Sequence, residues 1–383
     1  MASIVPRPEM SLAQKFALLD KASEKINKKY NKMIMGRIGN NEAILESLRI
    51  KYVETPSREF NKAVGGGIPR SRCTIIAGAP DSGKTSYVLE TIALNMKKNE
   101  NFTAAWLESE HSLEKDYIIN TFGIDPDRFY YISFDPGIGA EETLDMVQGI
   151  IGTGAIDLLC INSLRALVPT QELEADLSQS VVAVQARMNS RMTRKFTALV
   201  AEYKTAFVII THLTTEIGSL SRDPMVIAGG HAIKHWSSLT LDFRKKSVGP
   251  SDPITKEDGI KIGVSVRKNH CMPSVNPYVK FDMYAIFGEG IDQIFQGLEE
   301  AMQLGFVEMK GAWINWIDFN GNIRERWQGK NNFRTFMREN PEAWEEFSAM
   351  LSGNVKQMTD EEIQQIQKED SQIDEIIEEA LEK

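Results

Sequence analysis

The chain has 383 residues, of which 42% are hydrophobic and 25% charged, with a formal net charge of −9. No run of about 18 apolar residues occurs, which excludes a membrane-spanning helix, and three widely spaced cysteines (Cys73, Cys160, Cys271) fit neither a disulfide framework nor a zinc site. The charge is uneven: Met358–Lys383 holds ten acids and two lysines, so the tail carries −8 of the −9, while the first 60 residues hold eleven Lys/Arg against seven Asp/Glu, a net of +4.

The elements follow in chain order. Met1–Met10 lacks the apolar stretch of a secretory leader. With buried thiols, this points to a reducing, cytoplasmic setting. Ser11–Tyr30 has Leu12, Phe16, Leu19 and Ile26 at a helical period, and the helix must pack on its own core or on a neighbouring subunit. Cys73–Ala77 reads as a strand, Ser86–Lys98 as a helix, Thr103–Leu107 as a strand and Leu113–Phe122 as a helix. Phe129–Phe134, Leu158–Ile161, Phe207–Thr211, Leu239–Phe243 and Ile260–Val266 are further strands, with helices at Glu141–Ile151 and Val181–Lys204. Buried strands separated by helices predict an α/β fold whose mostly parallel sheet is flanked by helices, with ligands at the carboxyl ends of the strands. Past Gly288, Ile291–Leu304 is helical, Val307–Phe319 is a small β unit, and Phe333–Met350 is helical again. The expected organisation is an N-terminal segment (1–50), a core (51–287), a small C-terminal α/β domain (288–352) and an acidic tail (353–383).

Gly78-Ala79-Pro80-Asp81-Ser82-Gly83-Lys84-Thr85 matches G-x-x-x-x-G-K-[ST] in full, between a predicted strand and a predicted helix that continues through Ser86. Its backbone N–H groups and the helix N-terminus suit phosphate. Lys84 can reach the β- and γ-phosphates of a nucleotide, and the Thr85 hydroxyl can bind Mg²⁺. The loop alone leaves kinase, GTPase, helicase and recombinase open.

A carboxylate beside this loop can orient an attacking water. Only one of Glu108 and Glu110 is expected to face the phosphate. The strand that should carry a metal-binding acid ends instead in Asn162, which can accept a hydrogen bond from a metal-bound water but brings no charge. An Asn162→Asp variant is therefore expected to need less Mg²⁺. Strand Phe207–Thr211 ends in His212, placed to sense the γ-phosphate and signal to the segment that follows. That segment, Leu213–Gly230, lacks a helix or strand pattern. Its hydroxyls and Arg222 suit phosphates, and aliphatic tips such as Ile217 can wedge between bases. A second polar stretch, Thr170–Val182, precedes a helix whose Arg187, Arg191, Arg194 and Lys195 share one face. Such a stripe is either a solvated face or a track for a phosphate backbone.

Together these residues resemble the RecA family of bacterial and phage recombinases, from roughly Leu12 to Met350. Ile26–Tyr30 and Met35–Gly39 resemble the family's oligomerisation helix and the segment after it, and Gly78–Thr85 its P-loop. Leu107-Glu108-Ser109-Glu110-His111 resembles the segment holding the catalytic glutamate, which falls on Glu110, and Tyr117 matches the tyrosine that stacks on adenine. Gly229–Lys234 looks like the end of the second DNA-binding loop, in which Ile217 falls on the residue that inserts between bases and Gly218 among the DNA contacts. Val182, Arg187, Arg194, Arg222, Gly229 and Gly230 fall among the DNA contacts. Lys268-Asn269-His270 resembles the segment reaching the neighbouring subunit's ATP. Gly311–Trp313 and Gln328–Lys330 resemble signatures of the C-terminal domain. Asn162 replaces the family's Asp, His212 stands where cellular members have Gln, and His270 where they have Lys; Thr240 and Gly263 fall where those members tend to carry Arg.

The resemblance implies a RecA-like core that binds ATP and Mg²⁺ between subunits and forms a helical filament on single-stranded DNA. It also implies exchange of strands with duplex DNA. A hexameric DNA motor on the same fold, and a DNA-coating protein switched by ATP without essential hydrolysis, remain the rivals.

Overall fold

A computed structural model of the chain describes residues 10–176, 184–215, 225–227, 230–249, 252–271, 279–318 and 321–351. Helix α1 (Leu12–Tyr30) starts at Ser11, whose hydroxyl accepts from the Gln14 N–H while the Gln14 side chain accepts from the Ser11 N–H. It stops at Asn31 in the left-handed region. The chain then turns back along the helix, and the Asn27 side chain binds Ile34 and Met35 backbone groups at 2.7–3.0 Å. Leu12, Leu18 and Leu19 stay exposed, so α1 has an apolar side that no described part of the chain covers.

Next come α2 (Glu42–Leu48), β1 (Tyr52–Val53), α3 (Arg58–Val64) and β2 (Ile68–Pro69), with β1 and β2 paired antiparallel. The core then alternates: β3 (Cys73–Gly78), α4 (Lys84–Lys98), β4 (Ala104–Glu108), β5 (Phe129–Ser133), α5 (Ala140–Gly152) and β6 (Leu158–Asn162). The short α6 (Thr170–Leu173), then α7 (Val184–Tyr203), β7 (Ala206–Thr211), β8 (Leu213–Thr215), β9 (Met225–Ile227), α8 (Gly230–Trp236) and β10 (Leu239–Lys246) follow. Strands β11 (Gly259–Asn269), β12 (Lys280–Ile286) and β13 (Gly290–Ile291) complete it.

One sheet holds nine of these strands in the order β13-β12-β11-β10-β3-β7-β6-β4-β5. From β10 to β5 the pairing is parallel; β11, β12 and β13 extend the β10 side antiparallel. Strands β3, β4, β6 and β7 are buried throughout, the apolar runs a sheet covered on both faces requires. Tyr87, Val88, Leu89 and Ile92 of α4 pack one face with Trp106, Cys160, Val208 and Ile210. Leu144, Val147, Met192 and Phe196 of α5 and α7 pack the other with Leu107, Ile161 and Ile209. All three cysteines are free and buried.

Three local expectations change. The helix over 113–122 is a single wide turn at Tyr117–Thr121, because the chain leaves β4 through His111 in the left-handed region (φ 52) and has few residues left before Gly123 turns it again (φ 68). The stretch from Leu213 to Gly230 is not patternless: β8 and β9 pair antiparallel, Leu213 opposite Ile227, and α8 starts at Gly230. The run over 333–350 is two helices, since Pro341 cannot continue the first.

The last unit sets α9 (Gln293–Leu304), α10 (Lys330–Glu339) and α11 (Pro341–Leu351) on the antiparallel sheet β14 (Val307–Lys310), β15 (Trp313–Ile317), β16 (Ile323–Gln328). Its core is Trp316, Trp327, Phe333 and Phe347. It is tied to α3 through Arg58–Glu300 (3.2 Å) and Ser57–Gln296 (2.9 Å).

The P-loop helix is also fastened near this unit. Half-buried Glu90 on α4 accepts from the Ile291 N–H at 2.8 Å, an approach open only because residue 290 is glycine: a Cβ there would lie 2.6 Å from a Glu90 oxygen. Burial pushes the Glu90 carboxyl up to about 8. The folded chain thus holds this proton more tightly than the unfolded chain, and stability is lost as pH rises from the ordinary carboxylate range through about 8. Glu90→Gln is expected to match wild type near pH 4.5 and to exceed it by about 2–4 kcal/mol at pH 9, read from thermal unfolding across that range.

Candidate nucleotide and DNA site

The P-loop joins β3 to α4 at the carboxyl edge of the sheet. Gly78 lies so close to β10 that a Cβ would meet the Phe243 carbonyl at 2.4 Å, and Gly83 opens α4 in the left-handed region (φ 80). Between them Ala79, Pro80 and Asp81 are exposed, whereas the Ser82 side chain is buried and donates to the Ala79 carbonyl at 2.8 Å. Lys84 is only 6% exposed and donates to the same carbonyl at 2.7 Å. Burial lowers its pKa, partly offset by Glu110 and Asp81. A desolvated ammonium resting on a neutral carbonyl suits an incoming phosphate. Thr85 and Ser86 follow in the first turn, half-buried. The Ser86 hydroxyl lies 2.6 Å from the Tyr117 hydroxyl, which holds the Tyr117 ring beside that turn, braced edge-on by Phe122 at 5.0 Å.

Glu108 and Glu110 have separate environments. Strand alternation would put residues two apart on one face; the division comes from β4 ending at Glu108. Glu110 is partly exposed. Its carboxylate accepts from Ser163 at 2.5 Å and lies 2.9 Å from His212 Nε2. Carboxylate, hydroxyl and imidazole thus converge from β4, β6 and β7. Glu108 is wholly buried: one oxygen accepts from Trp106 Nε1 and Asn162 Nδ2, both at 2.9 Å, and the other from the Glu110 N–H at 2.9 Å and from Ser112. Ser109 pins the two strand ends, its N–H on the Asn162 carbonyl (2.7 Å) and its hydroxyl on the Ser163 carbonyl (2.8 Å). The Asn162 Oδ1 is buried without a hydrogen-bond partner. An orphaned buried acceptor at the carboxyl edge of the sheet that carries the P-loop suits the water shell of a Mg²⁺.

The Glu108–Asn162 contact changes one expectation. Asn162→Asp would set two carboxylates in contact in the interior, where one must hold a proton. The single replacement therefore brings no net charge, and no lower Mg²⁺ requirement, near neutral pH.

Lys268 lies at the far end of β11 and donates to the Lys234 and His235 carbonyls (2.9 and 3.1 Å), closing the last turn of α8. Burial lowers its pKa. His270 follows at the strand end, its N–H bonded to the Ser238 carbonyl. Arg187, Arg191, Arg194 and Lys195 are all exposed along α7; Lys195 pairs with Asp145 of α5 at 3.0 Å and Arg194 folds onto its own helix at Ser190. Thr240 is buried against Ser237, and Gly263 sits under Lys246. Gly230 opens α8, while Val182, Ile217, Gly218, Arg222, Gly229 and the acidic tail lie outside the described residues. In the C-terminal unit the Gly329 N–H donates to the Ala312 carbonyl, joining the segments 311–313 and 328–330.

Ser163, Ser109 and Trp106 were not singled out from the sequence. Alternation along a buried strand carries the signal for one of them, because residues 106 and 108 share a face.

Residues 17–292 match the model of the RecA N-terminal domain. The chain is 30% identical over 347 residues to Protein RecA of Rhizobium etli (strain CIAT 652), covering 90% of this chain and 91% of that protein. It is 30% identical to Protein RecA of Agrobacterium fabrum over 90% of both chains. Protein RecA of Parvibaculum lavamentivorans is 31% identical over 88% of this chain and 87% of its own. The matched span runs from α1 through the P-loop sheet, and the longer alignments take in the C-terminal unit as well, so the chain belongs to the RecA family of recombination and repair proteins, which are DNA-dependent ATPases.

Proposed function

We propose that the protein assembles into a helical filament on single-stranded DNA in the cytoplasm, with ATP and Mg²⁺ at the P-loop between neighbouring subunits, and exchanges that strand with a homologous duplex. Lys84 and the loop amides hold the phosphates, and Thr85 and Asn162 face the metal. Tyr117 stacks on the base with Ser86 fixing its ring. Glu110 accepts a hydrogen bond from the attacking water, held in place by Ser163 and His212. Bound Mg²⁺ neutralises phosphate charge.

The observation that carries this reading is the 2.9 Å contact between Glu110 and His212. His212 directly precedes β8, the strand that enters the segment assigned to DNA through Ile217, Gly218, Arg222 and Gly229. Order imposed there by DNA is transmitted to the hydrolytic carboxylate through one side chain. Lys268 adds a second link. It closes α8 at the far end of the same segment, so reaching a neighbour's nucleotide with His270 requires it to leave those carbonyls. Val182, Arg187 and Arg194 supply the second DNA surface.

The test is ATP turnover with and without single-stranded DNA, combined with imaging and a strand-exchange assay. DNA-stimulated turnover, filaments and joint molecules formed only with homologous duplex support the reading. Rings that unwind any duplex favour the motor, and turnover indifferent to DNA overturns the coupling.

The tail is assigned to electrostatic shielding of the DNA surface. Deleting Met358–Lys383, which removes a charge of −8, is expected to tighten single-stranded DNA binding by about tenfold at 50 mM salt and by little at 300 mM, as measured by anisotropy of a labelled oligonucleotide.

A further inference from the structure

Asn162 ends β6 at the position where the family carries an acid. Its neighbour on β4, in register with it, is Glu108. Both lie on the sheet face that α4 covers, in line with Trp106, Cys160 and Ile210. Glutamate is one methylene longer than aspartate, enough to bridge the interstrand gap and meet the Asn162 amide at 2.9 Å.

This contact fixes the amide by chemistry. An ionised carboxylate only accepts hydrogen bonds, so the Asn162 NH₂ must face Glu108. Trp106 donates to the same carboxylate oxygen, which leaves the amide no alternative orientation. Oδ1 is therefore turned away from Glu108, and it is the atom left without a partner. Residue 162 is 1% exposed, so the orphaned acceptor is costly unless a bound group meets it. Among the described residues Glu108 has no cationic partner; its charge is held by N–H and O–H donors alone.

We propose that Glu108 is a positioning residue that supplies from β4 the negative charge absent at Asn162, and that it locks the Asn162 amide with its oxygen toward the P-loop, where that oxygen accepts a hydrogen bond from a water of the Mg²⁺–nucleotide complex. The carboxylate acts from the neighbouring strand through an amide. This rests on the nucleotide reading above.

The experiment follows a fluorescent ATP analogue binding to the full chain over a Mg²⁺ titration and in EDTA, so that hydrolysis does not enter. Glu108→Gln removes the charge and opposes an NH₂ to the N–H donors of Glu110 and Ser112. It is expected to raise the Mg²⁺ midpoint by about tenfold, the order typical of lost outer-shell partners, with binding in EDTA unchanged. Adding Asn162→Asp to Glu108→Gln returns one carboxylate to β6 and is expected to restore the midpoint to within about threefold of wild type. Asn162→Asp alone is expected to bind Mg²⁺–nucleotide no more tightly than wild type at pH 7. An unchanged midpoint in folded Glu108→Gln overturns the proposal, and so does equal weakening with and without Mg²⁺, which would mark a purely structural role. If Glu108→Gln does not fold, the double variant decides: a midpoint near wild type supports relocation of the charge, and a raised one overturns it. If wild type binds no nucleotide at any Mg²⁺ concentration, the nucleotide reading itself has failed, and this proposal with it.

Discussion

Glu110→Gln is expected to lower DNA-stimulated ATP hydrolysis by about 10²–10³-fold while leaving ATP-dependent DNA binding in place. The carboxylate accepts from Ser163 and lies within hydrogen-bond reach of His212, and its partial exposure leaves it open to a water. Glutamine keeps the size and one acceptor oxygen but cannot take up a proton. Glu108 cannot stand in, because it is wholly buried and its oxygens are engaged by Trp106, Asn162, Glu110 and Ser112. Lys84→Ala provides the contrast: it removes the buried ammonium at the phosphate position, so hydrolysis and nucleotide-dependent DNA binding are both expected to disappear. Phosphate release and oligonucleotide anisotropy measured on the same preparations separate the two variants. Hydrolysis by Glu110→Gln within about threefold of wild type would show that this carboxylate does not serve the attacking water.

Trp106→Ala is expected to destabilise the core by about 5 kcal/mol, seen as a large fall in the denaturant midpoint. Two costs add. The ring is completely buried on the sheet face that α4 covers, with the Phe129 ring 6.4 Å away between centroids, and deleting a packed Trp costs about 3–5 kcal/mol. Its Nε1 is also a donor to the buried Glu108 carboxylate, and losing such a donor adds about 1–3 kcal/mol. Trp106→Phe narrows the two, since it keeps most of the packing and loses the donor. Equal stability of Trp106→Phe and wild type would mean that the hydrogen bond adds nothing to the core.

The sheet was legible in the sequence because its strands are short, continuous apolar runs: Cys73–Ala77, Leu158–Ile161 and Phe207–Thr211 emerge within a residue or two of β3, β6 and β7. The P-loop was legible because its chemistry is local, with spacing and flanking elements written in one segment. Strand β12 was not, since Lys280–Ile286 interleaves Lys280 and Asp282 with residues that are buried only once Phe281 and Met283 join the main core and Tyr284 and Ile286 pack with Phe295. The wide turn at Tyr117 and the β8–β9 ribbon were missed for a related reason. Each is set by how the chain must leave a strand end, and periodicity does not register exits. The Glu108–Asn162 contact joins residues 54 positions apart, and only the parallel register of β4 and β6 brings them level. From the sequence, Asn162 looked like a charge lost; in the fold its nearest neighbour carries one.

Helix α1 draws little of its order from the rest of its own chain. The hook formed by Asn27, together with the Arg37–Asp20 pair, ties down one side, and Leu12, Leu18 and Leu19 on the other stay more than half exposed among the described residues. An isolated helix of this length is marginal in water, so its helicity rises with whatever covers that apolar side. If the cover is another copy, mass action sets how much of α1 is formed. The segment is then loosely wound in a dilute preparation and firmly wound in a crowded one, and the chain reports its own abundance through its first helix.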